Sequence, residues 1–183
     1  FKLYKKRIIW LIILFVGETL TIAAMSGFQK TLEQVLVLST FIPLIISSGG
    51  NSGSQAATLI IQAMALGEIT VKDWWRIARR EIQSGLFMGV TLGILGFIIV
   101  FGGYQIFGLF GEHFIRIGFA IGIAIIGVVL WGTIMGSMLP LLLKKLGADP
   151  ATSSTPFIAT LVDVTGLLIY FGTAFFMLKG VLL

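Results

Sequence analysis

Residues 154–171 read S-T-P-F-I-A-T-L-V-D-V-T-G-L-L-I-Y-F and set one carboxylate, Asp163, inside an apolar run long enough to cross a bilayer. An ionised side chain at mid-membrane costs about 2.5–3.5 kcal/mol on insertion scales, so such residues face a bundle interior, a water-filled path or a bound ion. Asp163 is therefore the leading functional candidate. At helical spacing, Ala159 and Thr160 lie one turn before it, Gly166 and Leu167 one turn after, and Tyr170 two turns after. That face is small and polar, while Ile158, Leu161, Val162, Leu168 and Ile169 cover the remainder. Pro156 suits the first helical turn, with Asp149, Ser153 or Ser154 as caps. The competing reading, an Asp that only ties two helices together, lacks an obvious intramembrane Lys or Arg partner.

Working outward, the 183 residues are 57% hydrophobic and 11% charged, with a mean hydropathy of +1.03. Those values belong to polytopic membrane proteins and exclude a soluble core. The absence of cysteine excludes disulfides, thiolate metal sites and cysteine nucleophiles, and a single histidine, His113, excludes a histidine-rich metal cluster within one chain. His113 beside Glu112 reads as a solvated loop pair. The pI of about 9.8 reflects basic residues in short loops beside hydrophobic spans, a topology signal rather than a nucleic-acid surface.

Five hydrophobic segments are expected to span: 8–25, 35–66, 82–107, 115–143 and 156–178. The first is too long, and too far from any small-residue cleavage site, to be a removable signal. Lys2, Lys5, Lys6, Arg7, Lys72, Arg76, Arg79, Arg80, Lys144 and Lys145 fall on one side of this topology. Only Lys30, Arg116 and Lys179 fall on the other. The positive-inside rule then places the N-terminus in the cytoplasm and the C-terminus outside, in the cell (inner) membrane.

The first span carries Glu18, a second intramembrane carboxylate. Ion ligand, proton-linked group and structural hydrogen-bonding residue all remain open for it; the structural reading is preferred, since only Thr19 and Thr21 accompany it. The second span holds Ser47-Ser48-Gly49-Gly50-Asn51-Ser52-Gly53-Ser54-Gln55. As one helix the segment would run about 48 Å, well beyond a ~30 Å hydrocarbon core, so a break or strong tilt is expected. Asn51 and Gln55 supply side-chain oxygens, whereas Gly50 and Gly53 suit either exposed backbone or close helix packing. Trp74 and Trp75 suggest a short interfacial helix. Glycines four apart, Gly85, Gly89 and Gly93 in the third span and Gly118 with Gly122 and Gly132 with Gly136 in the fourth, mark a closely packed frame. No internal repeat stands out, which weakens inverted-repeat transporter folds.

Two stretches, P-L-I-I-S-S-G-G-N-S-G-S-Q (43–55) and D-P-A-T-S-S-T-P-F-I-A-T-L-V-D-V-T-G-L-L-I-Y-F (149–171), together resemble the membrane domain of the MgtE family of magnesium channels, related to the solute carrier family 41 transporters. The resemblance runs from the basic K-K-R-I-I-W segment at 5–10 through the fifth span. It implies an all-α homodimer with five transmembrane helices per subunit and an ion path on the two-fold axis, lined by the second and fifth helices. It also implies that paired Asp163 carboxylates hold a hydrated Mg²⁺ together with the Ala159 carbonyl. Asn51 would line the path, and Gly50, Gly53, Gln55, Thr160 and Gly166 are further lining candidates. Mg²⁺ dehydrates reluctantly, so a set of carboxylate, carbonyl and amide oxygens around its water shell suits it.

Family members usually carry a large cytoplasmic region with an acidic helical domain and paired CBS domains. None precedes Phe1 here, so gating by those domains is not expected of this chain, and a leak-prone path is. The rival transport reading exchanges Mg²⁺ against Na⁺ or H⁺ with Glu18 as the coupling carboxylate. An intramembrane aspartyl hydrolase would need an Asp dyad sharing a proton, and one Asp per chain disfavours it. No enzymatic activity is expected. A non-conducting scaffold predicts that Asp163→Asn leaves function intact.

Overall fold

The computed structural model describes residues 2–29, 36–147 and 150–180. Lys30 and Asp149 lie outside them, and so do the side chains of Ser153, Ser154 and Pro156. Among the described residues there are five long helices and no strand: α1 (Lys2–Gly27), α2 (Val37–Ala65), α3 (Trp74–Phe107), α4 (Phe114–Lys145) and α5 (Pro150–Leu178). Three stretches, Val71–Phe107, Gly111–Lys145 and Phe157–Leu178, are long and apolar enough to cross a membrane. The first two expected spans correspond to α1 and α2 but do not reach that composition. Leu11–Gly27 is a shorter apolar stretch, and α2 is diluted by its central serines, glycines, Asn51 and Gln55.

Helix α4 is the hub, packed against α2, α3 and α5, while α1 rests on α5. Glycine makes the central crossings possible, because small residues let membrane helices approach to backbone contact. A Cβ placed on Gly132 would stand 2.5 Å from the Gly49 carbonyl oxygen. One on Gly136 would strike the Gly53 carbonyl, and one on Gly93 would stand 2.7 Å from that of Gly122. The glycine frame expected of the third and fourth spans is thus present, and it extends into α2.

These pairings fix the relative directions of the helices. Contacts at 49 with 132 and 53 with 136 run α2 parallel to α4, whereas 85 with 133 and 93 with 122 run α3 antiparallel to it. Trp131 Nε1 donates to Thr165 Oγ1 at 2.8 Å and Gly127 faces Ile169, so α5 is antiparallel to α4. Gly17 faces Thr160 and Phe28 stacks on Phe171 at 4.9 Å, so α1 runs parallel to α5. Successive helices therefore alternate, and the starts of α1, α3 and α5 share one end with the close of α4. The basic residues at the starts of α1 and α3 and at the close of α4 are gathered there.

Three local expectations are corrected. Helix α2 is continuous through its glycines, with Pro43 inside it, so of the break or strong tilt expected there the break does not occur. Ser48 and Ser52 return their hydroxyls to the carbonyls of Leu44 and Ser48, both at 2.7 Å, and Asn51 Nδ2 donates to Ser47 Oγ at 3.1 Å. The polar side chains are satisfied inside the helix they were expected to disrupt. No separate interfacial helix precedes the third span, because Val71–Asp73 is a single 3₁₀ turn and Trp74 already opens α3. Thr70 N and Oγ1 donate to Asp73 Oδ2 at 2.9 and 3.0 Å, a capping box that feeds the chain straight into the helix. The last helix begins at Pro150 rather than near Pro156. A proline is favoured at the first helical position because its missing N–H has no partner to lose there.

Candidate functional site

Asp163 lies midway along α5, about 20 Å from either end at 1.5 Å per residue. Its carboxylate is half-buried. Val162 beside it is fully buried against α2, since a Cβ on Gly49 would meet the Val162 methyl at 2.8 Å. This seam turns Asp163 toward the next residue of α2. A Cβ on Gly50 would stand 3.6 Å from Asp163 Oδ1, so the bare backbone of Gly50 forms the wall at the carboxylate. From the third side, α1 brings Glu18 within electrostatic range of Asp163. Gly17 makes this possible, for its missing side chain lets α1 settle on Thr160, where an added Cβ would stand at 3.1 Å.

Among the described residues the ion pair formed is Arg76 with Asp73, at 3.0 Å in the turn before α3. Asp163 has no basic partner there, which removes the helix-tying ion pair as its reason for being in the bundle. Glu18 accepts a 3.1 Å hydrogen bond from Thr21 Oγ1. Two carboxylates with a glycine wall and no neutralising cation form a negative site at the junction of α1, α2 and α5. Like charges in a low-dielectric bundle favour a bound cation. No group of three or more His, Asp or Glu side chains that could hold a metal occurs among the described residues.

The remaining candidates separate by face. Ala159 and Thr160 are half-buried one turn below Asp163. In a continuous helix the Ala159 carbonyl already accepts the Asp163 amide, leaving one lone pair for another partner. Gly53 and Gly166 are buried at packing contacts. An added Cβ would stand 3.0 Å from the Gly132 carbonyl in the first case and 3.2 Å from a Val128 methyl in the second. Asn51 and Gln55 turn to the α3 side. With Ser47, Ser48, Ser52 and Thr91 they line a cleft of about 630 Å³ between α2 and α3. Within one chain, then, the structure gathers Asp163, Gly50, Thr160 and Glu18, and carries Asn51 and Gln55 on the adjoining face of α2.

Two features went unread in the sequence. Ser47, Asn51 and Gln55 recur every four residues, a one-face stripe that spacing alone displays. Tyr170, grouped with the small polar face, is fully buried and donates its hydroxyl to the Leu38 carbonyl at 2.8 Å, pinning α5 to the start of α2. No local sequence signal marks a partner 132 residues away.

Alternating apolar helices around a glycine-packed hub, with a half-buried carboxylate midway along one of them and no basic partner for it among the described residues, define a polytopic membrane protein with a candidate cation site. The MgtE family model, described as a divalent cation transporter, matches residues 42–173. The Magnesium transporter MgtE of Thermus thermophilus is 38% identical over 98% of this chain and 38% of its own length. Proteins of the same name from Enterococcus faecalis and Bacillus subtilis are 35% and 31% identical over 94% and 92% of the chain, and 36% of their own lengths. The chain belongs to the MgtE family. It spans little more than a third of the length of these relatives.

Proposed function

We propose that this chain moves Mg²⁺ across a cell membrane through a path in which Asp163 holds the hydrated ion. The observation that carries this reading is the half-buried Asp163 carboxylate at mid-helix, walled by Gly50 and without a basic partner among the described residues. The names of the relatives support magnesium as the cargo. All five helices cross the bilayer, with the basic end in the cytoplasm as the positive-inside rule requires. Two subunits meet about a two-fold axis, so that two copies of Asp163 approach one another and a divalent ion relieves their repulsion. The exposed stripe of Asn51 and Gln55 lines the path on the α2 side, and Ala159 contributes its carbonyl. Contacts through the ion's water shell suit Mg²⁺, which keeps several waters in protein sites.

The test is Mg²⁺ flux into liposomes that contain the chain, with Asp163→Asn alongside. Losing the charge on each subunit is expected to reduce divalent flux by about tenfold or more, the scale of a lost charged hydrogen bond. Equal flux with unchanged ion preference in both proteins would exclude Asp163 as the ion ligand. A coupled exchanger is the second reading, favoured by Glu18 lying within electrostatic range of Asp163. Current that persists without a Na⁺ or H⁺ gradient supports the channel; flux that vanishes with the gradient, and with Glu18→Gln, supports exchange.

A further inference from the structure

A second site lies at the basic end of the bundle, away from Asp163. The turn before α3 packs on the last turns of α4 and encloses a groove of about 620 Å³, within the ~300–1,000 Å³ range of small-molecule clefts. Its bed is apolar, formed by Met135, Met138 and Leu142, and the half-exposed Trp74 ring makes one wall. Two exposed ammonium groups, Lys72 and Lys145, stand at its rim. Their charges are uncommitted among the described residues, whereas two arginines close by are engaged. Arg76 pairs with Asp73 at 3.0 Å, and the Arg79 guanidinium lies 5.5 Å from the centre of the Trp75 ring. Trp74 and Trp75 pack edge to face and mark the headgroup level of this end.

We propose that this groove seats one acidic phospholipid, with an acyl chain on the methionine bed and the phosphate between Lys72 and Lys145. Charge complementarity selects this occupant. A zwitterionic lipid would bring its own cation to two unpaired ammonium groups, and an apolar protein face would bury both without a counter-charge. Basic pockets between helices at a cytoplasmic surface take anionic headgroups for the same reason.

The probe is phosphatidylglycerol added to the purified chain in detergent, with phosphatidylcholine in parallel and bound lipid counted by native mass spectrometry. The wild type should retain phosphatidylglycerol in preference. Lys72→Ala with Lys145→Ala should weaken retention by an order of magnitude or more, since each basic group near an anionic headgroup contributes on the order of fivefold. Lys144→Ala removes an equal charge from the same last turn of α4 as Lys145 but does not line the groove, and should retain the lipid. Met138→Trp fills the bed and should expel the lipid while the rim lysines stay in place. Equal retention of the two lipids, or equal loss in Lys144→Ala, overturns the proposal in favour of diffuse surface charge. Displacement by inorganic phosphate alone overturns it in favour of a free-anion site. A change in subunit number rather than in lipid for Met138→Trp overturns it in favour of a second copy in the groove.

Discussion

Gly132→Ala tests whether the crossing of α2 and α4 holds the ion site together. The added methyl would lie 2.5 Å from the Gly49 carbonyl oxygen, 3.2 Å from its carbon and 3.4 Å from its Cα. Ordinary contact starts near 3.4 Å, so the two backbones must part by roughly 1 Å. No rotamer can absorb this, because the obstruction is main chain. Overpacking of this kind costs about 1–3 kcal/mol. For a chain of this size that lowers the midpoint of thermal unfolding by roughly 2–12 °C, at 2–4 °C per kcal/mol. Gly50 follows Gly49 on α2 and forms the wall at Asp163, so the same displacement opens the site and Mg²⁺ flux should fall with stability. Gly102→Ala is the reference, since its Cβ would meet nothing within 4 Å. The assay is thermal unfolding in detergent micelles with liposome flux measured on the same preparations. An unfolding midpoint for Gly132→Ala that matches Gly102→Ala would refute the backbone-contact reasoning, and lost stability with intact flux would separate the crossing from the site.

Tyr170→Phe removes the donor to the Leu38 carbonyl and is expected to destabilise by about 0.5–1.5 kcal/mol in the same unfolding assay, with the ring packing preserved. Trp131→Phe and Thr165→Val should be coupled in a double-mutant cycle by at least about 0.5 kcal/mol; additive effects would mean that their 2.8 Å hydrogen bond contributes nothing. Gly17→Ala places a methyl 3.1 Å from the Thr160 side chain and should push α1 off α5, reducing Mg²⁺ flux while leaving the α2–α4 crossing intact. Its refutation would be wild-type flux together with a lowered unfolding midpoint.

Much of this bundle was legible because the bilayer is a demanding solvent. Every spanning backbone must satisfy its own hydrogen bonds, so an apolar run long enough to cross is a helix regardless of its neighbours. Glycines four apart announced close crossings for the same reason, and Gly93 on Gly122 is one of them. Asp163 stands out in the sequence as a candidate because a charge there is costly. Partnerships between helices were not legible. That α1 brings Glu18 to Asp163 depends on Gly17 fitting Thr160, a match of shapes 143 positions apart with no spacing rule behind it. Boundaries failed at Trp74 and Pro150, where the helix extends past the apolar run into residues that hydropathy assigns to a loop.

The continuity of α2 explains how one helix serves both packing and the wall of a polar cleft. Its glycines suited either exposed backbone or close packing, and Gly49 and Gly53 take the second course, facing α4 and spending their missing side chains on contact with Gly132 and Gly136. Its serines turn inward on the helix itself: Ser48 and Ser52 close their hydroxyls onto carbonyls one turn back. Successive helical residues are rotated by about 100°, so Gly49, Gly50 and Asn51 present three different faces. Gly49 packs on α4 and α5, Gly50 walls the Asp163 carboxylate, and Asn51 opens to the cleft toward α3. A break here would disperse those faces; a rigid helix holds them in fixed register. The polar stretch therefore works as a straight surface, with glycine contacts on one side and the polar wall of the α2–α3 cleft on another, rather than as a bend in the chain.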